Sequence, residues 1–322
     1  MNDFTGKKVL VTGGAGFIGS TLVKALVAKG CVVRVLDNFS SGYQSNLTAL
    51  KGKVEMIEGD IRNSIACRNA CRGIEIVFHL AAFVSAPKSV VDPVSSDAVN
   101  IGGMLNMLTA ARDCKVRRFV FSSSSAIYGD AEKLPIKENS LPRPASPYGI
   151  QKLYGEHLCR IFSELHGLET TSLRYFNVFG PGQRPDSDYA AVIPRFVSRL
   201  TENLPVTIYG DGLQSRDFLS VHDVVRANLL SASVNHPGGI CLNIAGGKET
   251  TLLDLHGMIS EVLGVEVPPF HEAARQGDVR RSVAHIGAAG KIIGFRPKVS
   301  LADGLRETVA TFQNLSGGRI DP

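Results

Sequence analysis

The chain has 322 residues, 44% hydrophobic and 20% charged, values of a folded globular protein that exclude an intrinsically disordered one. Its formal charge of +5 is spread along the sequence without a Lys/Arg run long enough for a nucleic-acid track, so the small basic excess suits an anionic ligand and no nucleic-acid partner is expected. No apolar stretch of about 18 residues occurs, and Met1 to Phe4 lacks the basic and apolar regions of a signal peptide, which predicts a cytoplasmic protein with no membrane partner.

From residue 7 onward, short runs rich in Val, Ile and Phe alternate with longer segments of helical period. That pattern predicts an α/β fold, a Rossmann-type doubly wound parallel sheet. Candidate strands cover 7–13, 31–37, 54–60, 74–80, 117–123 and 170–176, with helices near 17–29, 97–113 and 147–166. After Asn177 the Gly/Pro/Asp-rich stretch FGPGQRPDSDY breaks the rhythm. The expected division is a dinucleotide-binding domain over 1–177 and a smaller C-terminal substrate-binding lobe over 178–322, with return segments to the first domain around 221–246. The six cysteines lie far apart in segments that read as helix or strand, so buried thiols are expected rather than disulfides. Cys67 and Cys71 share a helical face, but no second Cys or His pair lies near them and no metal is expected.

The first strand runs directly into VTGGAGFIGS. Gly13, Gly16 and Gly19 allow a tight turn and close approach of the backbone to a pyrophosphate, which then sits at the N-terminus of a helix beginning near Phe17 and Ile18. The alternative for such a loop alone is a plain structural turn. Asp37 ends the second strand, where a carboxylate accepts bonds from ribose hydroxyls and repels a 2′-phosphate. Because Asn38 follows rather than Arg, the expected cofactor is NAD rather than NADP; the competing reading of Asp37 is a strand-end turn residue. Asp60 and Ile61 end the third strand where adenine could rest, and Leu80, Ala81 and Ala82 end the fourth beside the expected nicotinamide diphosphate.

In SPYGIQK, Tyr148 and Lys152 are four residues apart and project from one face of a helix. A cation beside a phenol lowers its pKa, which predicts Tyr148 as acid/base and Lys152 as its partner and a holder of the nicotinamide ribose. A YxxxK pair by itself is a common accident of helices. Ser124, after the fifth strand, completes the set at the C-terminal edge of the sheet, where open α/β sheets bind ligands.

The glycine motif, Asp37, Ser124, Tyr148 and Lys152, in that order, resemble the extended short-chain dehydrogenase/reductases. The resemblance runs along the whole chain through LDNFSSG, SPYGIQKLYGE, RYFNVFGPGQ, YAAVIPRF, YGDGLQSRDFLSVHDVV and GDVRRS. It is nearest to the UDP-hexose 4-epimerases, especially those acting on UDP-N-acetylglucosamine. It implies a homodimer packed through the helices near 97–113 and 147–166, and a UDP-sugar whose C4 is inverted through a transient 4-keto sugar with tightly held NAD. It further implies Asn100 on the cofactor, and Ser85, Ser124, Asn177, Val192, Tyr209, Arg216, Arg275 and Asp278 on the substrate; Arg275 could equally be a solvated surface residue. Ser282 stands where related epimerases carry a Tyr that restricts the sugar to a plain hexose, so room for an N-acetyl group is expected, unless Ser282 is a neutral strand residue.

Sugar dehydratases and decarboxylases that share the triad resemble TDEVYG and TSEVYG at the serine motif; here SSAIYG puts Ala126 in place of their Glu, and both readings drop. Reductases that epimerise C3 and C5 need a Cys or His pair that has no counterpart here. A UDP-glucuronate 4-epimerase stays open, with Arg184 or Arg281 to meet a carboxylate. A non-catalytic NAD-sensing regulator is the answer of a different class, and proteins of that kind usually lose the triad that is complete here.

Overall fold

The computed structural model describes residues 4–185, 191–274 and 279–317. The first half runs β1 (Lys8–Thr12), α1 (Phe17–Ala28), β2 (Val32–Asp37), β3 (Val54–Glu58), α2 (Ser64–Cys71), β4 (Ile76–His79), α3 (Ala86–Val91), α4 (Pro93–Asp97), α5 (Met104–Asp113), β5 (Arg118–Ser124), α6 (Pro147–His166) and β6 (Glu169–Tyr175). The second half adds β7 (Asn177–Phe179), α7 (Val192–Thr201), β8 (Thr207–Tyr209), β9 (Ser215–Arg216), β10 (Phe218–Ser220), α8 (Val221–Ser233), β11 (Ile240–Ile244), β12 (Thr250–Thr251), α9 (Leu252–Leu263), β13 (Phe270–Glu272), α10 (Gly287–Ile293) and α11 (Leu301–Gly317).

Seven parallel strands form the central sheet in the order β11-β6-β5-β4-β1-β2-β3. Its inner strands are covered on both faces, which is why Val9, Leu10 and Val11 of β1 are all buried and the run reads as continuous rather than alternating. One face carries α1, α8 and α10 through Leu22, Leu26, Val224, Ala227 and Ile293. The other carries α2, α5 and α6 through Cys67, Met104, Leu108, Cys159 and Phe162. A separate core of Ile193, Phe196, Leu255, Ile259 and Leu305 joins α7, α9 and α11 of the smaller lobe. The chain leaves β1 toward β2 and β3 and returns on the other side to β4, so the loops after β1 and β4 diverge and open a crevice at the C-terminal edge of the sheet.

All six strands expected in the first half are present within two residues of their predicted ends. Helix α6 occupies the predicted 147–166, because its ends are written locally: the Ser146 hydroxyl accepts from Gly149 N, Pro147 stands at the first helical position, and Gly167 closes the helix at φ 68°. The helix expected as one piece over 97–113 is instead α4, a π-helical turn over Ala98–Gly103, and α5. Asn100 lies in that turn, bonded to the Phe83 backbone and to Gln151, so tertiary bonds outcompete the regular helical ladder there.

Candidate active site

At the end of β1 the chain turns through Gly13, whose φ of 69° and the Ala81 nitrogen 2.7 Å from where a Cβ would stand both require glycine. Gly19, in the first turn of α1, passes so near the Gly13 carbonyl that a Cβ would stand 2.0 Å from its oxygen. The N-cap Gly16 brings no side chain to the first-turn N–H groups, which therefore face the crevice as donors for a phosphate. Asp37 is buried at the end of β2; its Oδ2 accepts from Ala15 N at 2.8 Å and its Oδ1 from Phe39 N at 2.8 Å. The carboxylate thus fixes the shape of the glycine loop and keeps a second lone pair on each oxygen for ribose hydroxyls.

A cleft of about 360 Å³ lies above these elements. Gly13, Gly16, Phe17, Ile18, Gly19, Asp37, Asn38, Asp60, Ile61, Leu80, Ala81, Ala82, Tyr148 and Lys152 all line it. Asn38 donates to Asp60, whose carboxyl is drawn down to about 2, first by hydrogen bonds from Arg62. This shape fits a dinucleotide: a cradle that a Cβ would fill at the pyrophosphate and a carboxylate at the ribose.

At the other end of the cleft, Ser124 at the end of β5 stands beside the Tyr148 phenol at the start of α6, near enough to favour its charged form. Lys152, one turn along α6, donates from Nζ to Ser122 O at 2.8 Å and lies 5.6 Å from the Tyr148 ring centroid. Its neighbour Glu156 is held by Ser123 Oγ and by a buried ion pair with Arg174, 2.7 Å long. The spacing alone predicts a phenol lowered by the lysine, and here the structure differs. Burial pushes Tyr148 up to about 12 against the neighbouring Ser124 hydroxyl, and pushes Lys152 down to about 8 against the charge of Glu156. Desolvation outweighs the opposing Ser124 and Glu156 contributions, so the phenol is neutral until positive charge faces it.

Asn100 stands behind the cleft rather than in its wall. Its Oδ1 accepts from Phe83 N at 2.8 Å, while its Nδ2 donates to Phe83 O and Gln151 Oε1, so it shapes the 80–84 loop instead of presenting its amide to a ligand. Ser85 is likewise committed: at φ 126° it caps α3, accepting from Lys88 N.

A second cavity, of about 760 Å³, opens between the sheet edge and the smaller lobe, lined by Asn177, Val192, Tyr209 and Arg216 among others. Asn177 Nδ2 donates to Asp217 O, and Arg216 Nη1 to Val279 O at 2.6 Å. Ser282 is half-buried outside both walls, in an extended segment whose neighbours Arg281 and Ala284 bridge Ser215 and Ile136. Arg275 and Asp278 lie outside the described residues. Arg281 is paired with Glu249 at 2.8 Å, and Arg184 lies over the Tyr43 ring.

Sequence reasoning missed several residues. Ser40, Ser41, Gly42, Ser123 and Tyr175 also line the cofactor cleft; the first three follow Asp37 in LDNFSSG, where their place was readable but unassigned. Asp217 is fully buried and accepts from Gly246 N, Gly247 N and Ala284 N, tying the smaller lobe to the loop after β11. Only its partners, distant in sequence, reveal that role.

The model of the NAD dependent epimerase/dehydratase family matches residues 9–245. A UDP-N-acetylglucosamine 4-epimerase from Methanobrevibacter ruminantium M1, solved in complex with UDP-N-acetylmuramic acid, is 39% identical at a TM-score of 0.93, covering 97% of this chain and 99% of that one. A UDP-glucose 4-epimerase from Thermotoga maritima, solved with UDP-glucose, is also 39% identical at a TM-score of 0.92, covering 96% and 99%. A UDP-glucuronic acid 4-epimerase from Bacillus cereus, in complex with UDP-glucuronic acid and NAD, is 32% identical at 0.89, covering 96% and 99%.

Proposed function

Because the chain belongs to the NAD-dependent epimerase/dehydratase family, we propose that it inverts C4 of a UDP-linked sugar, interconverting UDP-N-acetylglucosamine and UDP-N-acetylgalactosamine and also accepting UDP-glucose and UDP-galactose. The observation that carries this reading is the arrangement of groups along the cleft. Tyr148 and Lys152 line the β5 side, with Ser124 beside the phenol but outside the wall itself, while Asp37 and Asp60, the only carboxylates among the described lining residues, stand at the far side on β2 and after β3. One exchangeable proton is enough for reversible oxidation of a secondary alcohol. Elimination or decarboxylation needs a further acid, and Ala126 supplies none.

In this reading Tyr148 takes the C4 hydroxyl proton, Ser124 bridges the same oxygen, and Lys152 steadies the phenolate with its charge. NAD, which the glycine loop and Asp37 would hold, would supply a reversible acceptor that takes up the C4 hydride and gives it back. The sugar C4–H and O–H bonds break to give a ketone; after the ketone turns over in the cavity, Tyr148 returns its proton to the oxygen and the inverted alcohol forms. A buried, neutral phenol suits the second half, and positive charge facing it suits the first. Asn177 and Arg216 are assigned to the diphosphate, Arg216 by its forked, permanently charged donors.

The choice of a neutral sugar is supported by Arg281, whose guanidinium is engaged by Glu249 rather than offered to a uronate. The choice of an N-acetylhexosamine rests on the resemblance, in which the small Ser282 replaces a Tyr; Ser282 itself stands outside both cavity walls, so the reading requires that a Tyr there, and not a Ser, reaches the sugar. With Ser282→Tyr, turnover of UDP-N-acetylglucosamine is expected to fall at least about tenfold, with UDP-glucose turnover kept within about threefold. Steady-state rates on both substrates check this, and unchanged N-acetylhexosamine turnover contradicts the size argument.

A further inference from the structure

The segment 180–185 borders the larger cavity. It is a tight turn, with Gln183 N donating to Gly180 O and Gln183 Nε2 to Val178 O. Gln183 and Pro185 line the larger cavity, whereas Arg184 between them turns the other way and lays its guanidinium 4.2 Å from the centroid of the Tyr43 ring. Tyr43 belongs to the opposite rim: its backbone N donates to Ala15 O of the glycine loop, and the residues just before it, Ser40 to Gly42, line the cofactor cleft. Asn46 Nδ2 donates to the same Ala15 oxygen at 2.8 Å, so this rim is fastened to the pyrophosphate cradle.

We propose that Arg184 and Tyr43 form a clasp across the molecule, which slows the escape of NAD and does so more strongly when the larger cavity is filled. A guanidinium flat on a phenol ring combines cation–π attraction with planar stacking, and it joins two rims that are far apart in sequence. Residues on either side of Arg184 form the wall of the larger cavity, so a ligand that orders this wall orders the clasp. By linkage, whatever factor the ligand adds to NAD affinity through the clasp, NAD adds to the ligand's affinity. An enzyme that must hold its cofactor through two opposite hydride transfers gains from such a closure. The identity of the ligand, a uridine diphosphate group, rests on the function proposed above; the clasp on NAD does not.

The test is the rate at which bound, isotopically labelled NAD exchanges with unlabelled NAD, with and without UDP as the probe for the larger cavity. Tyr43→Ala and Arg184→Ala are each expected to release NAD roughly three- to tenfold faster than wild type, and the double variant no faster than the faster single, since both remove the same Tyr43–Arg184 contact. Tyr43→Phe keeps the ring and should match wild type. UDP should slow release from wild type and leave both alanine variants unchanged, with thermal midpoints unaffected because Tyr43 and Arg184 are both exposed. Wild-type release rates in the alanine variants, or a double variant whose effect is the product of the singles, would overturn the clasp. UDP slowing release equally in the variants would overturn its link to the larger cavity. Failure of UDP to bind in calorimetry counts against the sugar-nucleotide reading, while the exchange rates still decide the clasp on NAD.

Discussion

Tyr148→Phe is expected to lower C4 epimerisation of a UDP-sugar by about 10²–10⁴-fold, the range for removing a positioned proton-transfer group. Phenylalanine keeps the ring that packs beside Lys152 and removes only the hydroxyl that stands beside Ser124. The fold should therefore persist, as should the NAD carried by the purified protein and the KM for the sugar nucleotide, with the loss confined to kcat. The large effect follows from the isolation of this phenol: no carboxylate among the described lining residues lies on its side of the cleft. Steady-state kinetics together with the NAD content of the variant check the prediction. An enzyme that keeps more than a tenth of its kcat would mean that another group carries the proton.

Gly19→Ala is expected to weaken NAD binding about 10²-fold or more. The new methyl carbon would stand 2.0 Å from the Gly13 carbonyl oxygen and 2.8 Å from the Gly14 Cα, both backbone atoms of the loop itself. No side chain can rotate away, so the loop must open by more than an ångström. Overpacking of this kind costs about 1–3 kcal/mol in a core, and at a site built for close contact about 3 kcal/mol corresponds to roughly 10² in affinity. The N–H donors around Gly13 and Gly16 would no longer converge. The measurement is NAD stoichiometry after purification and a titration of the stripped protein; wild-type affinity would mean that the pyrophosphate does not rest in this loop.

These effects can be named because much of the first half is written locally. The strands around the crevice are uninterrupted runs such as KVLVT and VVRVLD, and α6 carries its own start and stop in Ser146, Pro147 and Gly167. Gly13, Asp37, Tyr148 and Lys152 could be placed relative to one another once their strands and helix were found. The π-helical turn at Ala98–Gly103 was not legible, because Asn100 takes that shape through bonds to Phe83 and Gln151. In the smaller lobe, β9 pairs with β12 and β8 with β13, short strands whose partners lie far along the chain and leave no periodic trace. The charge state of the site was hidden for a related reason. Spacing shows that Lys152 stands near Tyr148, but how far both are buried decides the direction of their shifts. Arg184 shows the same limit from another side: its charge is plain in the sequence, its seat on Tyr43 is not.

The central claim is tested most directly by incubating the purified protein, without added NAD, separately with UDP-N-acetylglucosamine, UDP-glucose and UDP-glucuronic acid, and following the C4 epimers by anomeric proton NMR. The account predicts conversion of UDP-N-acetylglucosamine to its galacto epimer, with slower conversion of UDP-glucose. Conversion of UDP-glucuronic acid alone would keep the proton chemistry and contradict the assigned sugar, and no conversion of any of the three, even after NAD is added, would contradict the proposed activity itself.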